Sequence, residues 1–426
     1  MTMYDTRALA IAATIPVGVQ AIKITRYAMG YPLSYATYIP GNGPMEFQEA
    51  GGHYWHLDLS GSIIDVHWFG AKPSPLGTAA GSLTDNTAAI QAAIDATAAG
   101  GGGTLQFGRG AYASGSVTIS TSNIYLKGVG YNATTIVHTM SGTSTLFNFV
   151  ASPSILSNCG ISDLAIGSAD TTNDKTAILM QDVSEIYVKN VNIAHYPIDG
   201  SMYRGSGAAG VGLRLLGREL GHVENVEVYA NNPIVIGGVP GLANSGLDSW
   251  VFRDIICYTA VATNYVISVL DGTIMSNVTF CGHQNWIGGY DGFHWIDSVS
   301  TAISFGLYFS GVKSEQAPGS GGYAFNIQPN QTLFGLRISD CVLGDRNGIA
   351  ITKTMNATVS NVFYDSNSNP TKVGLNIDAT SHMVQLLNCV WAGGTLLTNA
   401  GLTLENATFV AGLSTALPSS GVYRLV

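Results

Sequence analysis

The sequence predicts an all-β chain built as a single-stranded parallel β-helix, a solenoid, with an N-terminal capping helix. Three observations carry that expectation. Glycine supplies 52 of 426 residues, 46% of residues are hydrophobic and only 11% are charged, a composition suited to strands joined by tight turns. Past residue 150 one pattern keeps returning: apolar, any, Asn or Asp, apolar, any, apolar. A lone helical pattern, TDNTAAIQAAIDATAA, stands just ahead of four glycines and a β-type run.

Composition also excludes. The chain is too apolar for disorder, and no apolar run approaches the ~18 residues that span a bilayer. A formal charge of −9 with no basic cluster argues against nucleic acid as a partner. The opening MTMYDTRALAIAATIPVGVQ does not read as a signal peptide, because Pro16 interrupts a short apolar run and Asp5 stands where positive charge is expected. The 5 cysteines, Cys159, Cys257, Cys281, Cys341 and Cys389, show no metal-ligand spacing and are expected to be free, buried thiols.

The repeat has a marked slot. It is filled by Asp163, Asn190, Asn225, Asp254, Asn277, Asp340, Asn361, Asn388 and Asn406, with Gly311 supplying a further member. Intervals from the high teens to the mid-thirties indicate a solenoid with insertions at its turns. In VENVEV, Val223 precedes the slot by two, yet Val226 and Val228 follow it by one and three. Side chains alternate along a strand, so a continuous strand cannot bury all three. A bend at Asn225 resolves the conflict, and Asn, Asp and Gly best tolerate a left-handed corner. An open solenoid end needs a cover. Asp85 as N-cap, Ile90 and Ile94 one turn apart, and a stop at Gly100–Gly103 make the helix that lid.

DVHWFGAK, TDNTAAIQAAIDA, GGGTLQF and GAY resemble the opening of pectate-lyase-like right-handed β-helix proteins, bacteriophage tailspikes above all. The resemblance covers Asp65 to Tyr112; beyond that, rung periodicity alone carries it. FGRG departs from the family's usual proline-containing turn. The resemblance implies a right-handed coil and a homotrimer that binds and cleaves bacterial surface polysaccharide: capsule, exopolysaccharide or O-antigen. It implies a place in the virion tail, acting at the bacterial cell surface, with attachment to other tail components through the leader. The lack of a signal peptide suits that location. The expected segments are a leader over 1–60, a cap with helix and first rung over 61–112, the β-helix over 113–410 and a tail over 411–426. The slot two residues past each corner holds Glu227, Ile256, Thr279, Lys313, Val342, Phe363, Val390 and Thr408. Its apolar members suggest an association stripe, or cover by insertion loops.

Glycoside hydrolysis needs two carboxyl groups, about 5 Å apart for retention and ~6.5–9.5 Å for inversion. Equivalent positions on adjacent rungs lie roughly 4.8 Å apart. Asp58, Asp65, Asp85 and Asp95 belong to leader and cap, and Glu224 sits between Lys189 and Arg253 in a charge ladder. Aligning GVGLRLLG, NYVISVLDG, DGFHWIDS, GYAFNIQ and VGLNIDA sets Arg214, Ser268, His294, Asn326 and Asn376 in one outward column. Asp271 and Asp297 follow their column members by three residues each and are the expected catalytic acid and base or nucleophile, with Glu315 in reserve. Trp286, Tyr290 and Trp295 around Asp291 suit sugar rings, and with Arg214, His294 and Asn326 complete the substrate-binding set. A polysaccharide lyase using Arg214, His294 and Lys313 as base and cations is the rival mechanism, and a non-catalytic receptor-binding spike is the third reading. No calcium loop, GxSxG, phosphate loop or HExxH motif is present, and no cofactor or metal is expected.

Overall fold

A computed structural model of the protein describes residues 2–29, 33–43, 45–60, 63–150, 155–168, 170, 173–195, 210–242, 245–259, 261–315, 321–344, 347–365, 372–378, 380–392, 395–397, 404–409 and 421–425, with the side chains of His195 and of residues from 391 onward outside that description. Most of the expected tail over 411–426 therefore lies outside the described residues.

The leader is a small folded unit. Strands β1 (Thr2–Thr6), β2 (Ile22–Arg26), β3 (Ala36–Pro40), β4 (Phe47–Gln48) and β5 (Tyr54–Leu57) form a five-stranded sheet in the order β1-β2-β3-β5-β4. It closes over Ile22, Ile24, Tyr38, Trp55 and Leu57. Beside it the buried carboxylate of Glu49 accepts from the backbone N–H groups of Ile15 (3.0 Å), Gly51 (2.7 Å) and His53 (3.0 Å), and lies 2.6 Å from His53 Nδ1. Burial alone would raise its pKa; the three backbone donors and His53 outweigh burial and hold the group at about 2.

Strand β6 (Ile63–Asp65) pairs in parallel with Gly103–Gln106 and begins the solenoid. Helix α1 (Thr87–Ala99) lies over that open end and buries Ile90, Ala93 and Ile94. Its N-cap is Asn86, not Asp85. Asp85 still serves the first turn, its Oδ1 accepting from the N–H of Thr87 at 2.9 Å. Gln91 makes the lid specific: its amide accepts from Thr118 N–H (2.8 Å) and donates to Thr118 C=O (3.0 Å). The pair of bonds is what a further strand would give an exposed edge.

Each rung of the right-handed coil contributes to three parallel faces. The opening face includes Val211–Gly217, Asn232–Gly237, Ile267–Val269, Phe293–Ile296 and Tyr323–Gln328. The middle face includes Ile274–Cys281, Ser304–Ser310, Leu333–Ser339 and Thr354–Ser360, and the closing face Gln284–Gly288, Val312–Glu315, Val342–Gly344 and Phe363–Asp365. The corner between middle and closing faces is left-handed at Asp163 (φ 57), Asn190 (54), Asn225 (51), Asp254 (55), Gly311 (73), Asp340 (55), Asn361 (52) and Asn388 (52). Side-chain amides run along the column: Asn190 Nδ2 donates to Asp163 Oδ1 at 2.8 Å, Asn225 Nδ2 to Asn190 Oδ1 at 2.9 Å, and Asn361 Nδ2 to Asp340 Oδ1 at 2.9 Å.

A second left-handed column stands five residues earlier, at Asn158, Glu185, Leu220, Ser249, Asn277, Gly306, Gly335, Asn356 and Met383. Asn277 thus belongs to this earlier corner, and Gly282 (φ 75) is the true member of the later one. That correction evens the two irregular intervals on either side of Asn277. It also moves Thr279 out of the column past the corner, where Asn285 stands between Ile256 and Lys313.

Rings stack along the interior, Phe252 on Phe280 at 4.5 Å and Phe280 on Phe309 at 5.1 Å between centroids. Trp286 and Trp295, expected to face sugar, are fully buried in this core. The parity reset at the corners turns them inward. All five thiols are free, but Cys281 is only half-buried, because it faces outward in register with Arg253.

Two outcomes follow from these contacts. Asn225→Gly should destabilise by only about 1 kcal/mol through the lost amide bond, whereas Asn225→Val should destabilise by about 2 kcal/mol because left-handed strain is added to that loss. Glu49 has a depressed folded pKa, so its stabilisation is complete above the ordinary value of 4.5 and is lost as pH falls toward about 2. Protease cleavage within residues 1–60 should therefore rise across that window, and Glu49→Gln should remove the pH dependence.

Candidate active site

The opening face carries the expected outward column in register: Arg214, Val235, Ser268, His294, Asn326, Ala350 and Asn376 occupy successive rungs. Two clusters of polar side chains lie at opposite ends of this face. From Asp291 to Asp297 the chain advances six residues, roughly 20 Å as a strand.

At the far end, Asp271 and Asp297 occupy equivalent turns of adjacent rungs. A single donor ties them: the N–H of Gly272 lies 3.1 Å from Asp271 Oδ1 and 2.9 Å from Asp297 Oδ1. Those two oxygens are therefore no more than about 6 Å apart, short of the ~6.5–9.5 Å that admits a water between carboxyl groups. Asp271 is exposed and takes both the hydroxyl (2.6 Å) and the N–H (2.7 Å) of Ser298. The Ser298 hydroxyl first, then its N–H, with help from the Asp297 carboxyl and Gly272, hold Asp271 down at about 2 against a small opposing effect of burial. Asp297 is buried, and its Oδ1 also accepts from the N–H groups of Val299 (3.2 Å) and Ser300 (3.1 Å). Asp271 lines a cleft of about 550 Å³ with Leu216, Val239, Pro240, Leu242 and Thr301. The apolar wall beside acceptors suits a sugar ring, which is apolar on its faces and polar at its rim.

At the near end, Asp291 is fully buried. Its Oδ2 meets His294 Nδ1 at 2.5 Å and accepts from Asn326 Nδ2 at 3.0 Å, while Oδ1 accepts from Tyr323 N–H at 2.6 Å. The carboxylate fixes the imidazole and leaves Nε2 as the ring nitrogen it does not engage. Tyr265 stacks on His294 with centroids 3.6 Å apart and planes 4° from parallel. Burial first, then the charge of Asp291 and the neighbouring Tyr290, raise the Tyr265 pKa and keep the phenol protonated. Tyr290 is exposed.

The remaining site residues fall apart. Trp286 and Trp295 are fully buried core residues. Glu315 lies on the closing face, paired with Lys313 at 2.7 Å, and joins neither cluster. Arg214 is three rungs from His294 in the same column, with Nε buried and unpartnered. Glu224 pairs with Lys189 at 3.1 Å, in register with Arg253. Tyr265 and Ser298 went unnoticed in the sequence. Both were accessible, because Tyr265 is the rung equivalent of Asp291 and Ser298 follows Asp297 directly.

Among the described residues, no group of three or more His, Cys, Asp or Glu side chains is set to hold a metal ion, and no helix is long and apolar enough to cross a membrane. The family model for rhamnogalacturonase A/epimerase, pectate lyase-like proteins matches residues 64–291, more than half of the 426-residue chain. The chain belongs to that family. This pectate-lyase-like protein is 37% identical to mannuronan C5-epimerase AlgE3 of Azotobacter vinelandii over 110 residues, which are 23% of the chain and 6% of the epimerase. Its fold matches the A-module of A. vinelandii mannuronan C-5 epimerase AlgE4 with TM-score 0.55 and 15% identity, over 84% of this chain and 99% of the module. It also matches tailspike protein gp49 of Acinetobacter baumannii bacteriophage Fri1, a capsular polysaccharide depolymerase, with TM-score 0.55 and 12% identity, over 99% of this chain and 76% of the tailspike. Fold and family are those of proteins that act on polysaccharides.

The Ser298 contact generates a direct outcome. Asp271 should titrate near its depressed value in the wild-type protein, and Ser298→Ala should raise that value by about one unit, read by carboxyl-carbon NMR. An unchanged value would remove the hydroxyl as a cause.

Proposed function

We propose that this protein hydrolyses glycosidic bonds of a bacterial surface polysaccharide, as a phage tailspike does, with Asp271 and Asp297 as its working pair. The observation that carries the reading is the shared Gly272 N–H, which keeps two carboxyl oxygens on adjacent rungs no more than about 6 Å apart, short of the inverting range, with Asp271 lining a cleft. Asp271, ionised and exposed, attacks the anomeric carbon while Asp297 delivers its proton to the leaving glycosidic oxygen. Water then displaces Asp271 from the sugar, returning one proton to Asp297 and restoring both groups. The family match and the depolymerase named among the structural neighbours favour a polymer of this kind.

A second reading has its own support. His294, oriented by buried Asp291 and stacked on protonated Tyr265, is arranged to take a proton beside a uronate carboxylate, with Tyr265 as donor to the leaving oxygen. A trimer is part of the same proposal. Ile256, Val342, Phe363 and Val390 share one outward column of the closing face, with Val342 47% and Phe363 43% exposed. Attachment through the leader to other tail components belongs to it as well.

The test is incubation with a panel of bacterial surface polysaccharides, read for new reducing ends and for unsaturated-uronate absorbance. Hydrolysis predicts reducing ends without absorbance, a loss of about 10²–10⁴-fold in Asp271→Asn and Asp297→Asn, and little change in His294→Gln. Absorbance that disappears in His294→Gln would transfer the chemistry to the other cluster. Binding with no cleavage would leave a receptor-binding spike. Phe363→Asp should reduce the sedimentation coefficient to that of a single chain.

A further inference from the structure

The middle face holds another groove, away from both clusters on the opening face. Gly306 (φ 62) and Gly335 (φ 75) occupy successive rungs of the earlier corner column, where the flanking rungs carry Asn277 and Asn356. A Cβ at Gly335 would make one ordinary contact, with Gly306 N at 3.9 Å. The missing side chain at Gly335 leaves room for a trough of about 230 Å³ lined by Gly335, Tyr308, Arg337, Asn356, Thr358 and Gln385, while beside Gly306 the space is taken by the Tyr308 ring and Asn277 Oδ1. Tyr308, Arg337, Thr358 and Gln385 stand in register on four successive rungs and point outward. Across the glycine corner, exposed Phe305 stacks on Phe334 with centroids 5.6 Å apart.

Arg337 is the informative residue. Its guanidinium sits 5.6 Å from the centroid of the Tyr308 ring, a cation–π contact that favours this direction. It is exposed, and no ion pair joins it to a carboxylate among the described residues. In a chain of formal charge −9, a guanidinium held in place without an anion is set to receive one. Guanidinium binds carboxylate through two parallel hydrogen bonds. The Tyr308 ring offers an apolar surface to a pyranose, and Asn356, Thr358 and Gln385 supply donors and acceptors for its hydroxyls.

We propose that this trough is a second, non-catalytic binding groove for a carboxylated sugar residue of a polysaccharide chain. It deepens the polysaccharide reading and rests on it. The groove holds one part of an acidic polymer while another part occupies the cleft, so it raises local substrate concentration without touching the reacting bond.

Equilibrium dialysis with oligogalacturonate and with its methyl ester tests this. The wild-type protein should bind the acid in preference to the ester. Arg337→Gln should weaken binding of the acid by about tenfold or more and leave the ester unaffected, and Tyr308→Ala should weaken both. Cleavage of short oligosaccharides should be unchanged in either variant. Equal binding of the acid by Arg337→Gln and wild type, or no binding of the acid by wild type, would overturn the proposal. A changed sedimentation coefficient in either variant would overturn it too, by assigning the trough to contact between chains. Cleavage of a surface polysaccharide without oligogalacturonate binding removes only the groove; absence of both removes the functional reading as well.

Discussion

Two columns of left-handed corners, five residues apart on every rung from Asn158 and Asp163 to Met383 and Asn388, are the constraint on which the rest depends. Each corner resets the alternation of the strand, so apolar residues before and after it both turn inward. The stretch between the columns is therefore the same length on each rung, and registration of one rung fixes the next. Length variation is left to the turns flanking the opening face. The loop bearing Val239, Pro240 and Leu242, which walls the cleft, and the turns bearing Asp271 and Asp297 are of that kind. A rigid coil thus presents its chemistry at the margins of one face.

The margins differ in electrostatics. At one, the Ser298 hydroxyl first and then main-chain N–H groups favour the anion of Asp271. At the other, a buried carboxylate is spent on orienting an imidazole. The first arrangement suits nucleophilic attack with proton delivery; the second suits proton abstraction. Both are held by backbone bonds across rungs, which keeps them rigid before a substrate arrives.

The corners were legible in the sequence because few residues adopt φ near 55°, so Asn, Asp and Gly mark them. Asn277 misled because the earlier column obeys the same chemistry, although Leu220, Glu185 and Met383 show that packing also forces ordinary residues into it. The opening-face column could be aligned from strand pattern alone, since Ser268, His294 and Asn326 share parity. Trp286 and Trp295 could not be oriented from composition. Their direction depends on where the parity resets, and QNWIGGYDGFHW contains two glycines with positive φ, Gly288 and Gly289, that reset it again. The leader sheet was illegible for a different reason: its strands are short, and pairing across long intervals, such as Ile22 with Tyr38, leaves little local periodicity.

The most direct measurement is a crystal structure of the Asp271→Asn protein soaked with an oligosaccharide from a polysaccharide that the wild-type protein degrades. The account predicts a glycosyl ring in the cleft between Leu242 and Thr301, its anomeric carbon toward position 271 and its glycosidic oxygen toward Asp297. Sugar lying instead against His294 and Tyr265, with the cleft empty, would contradict it.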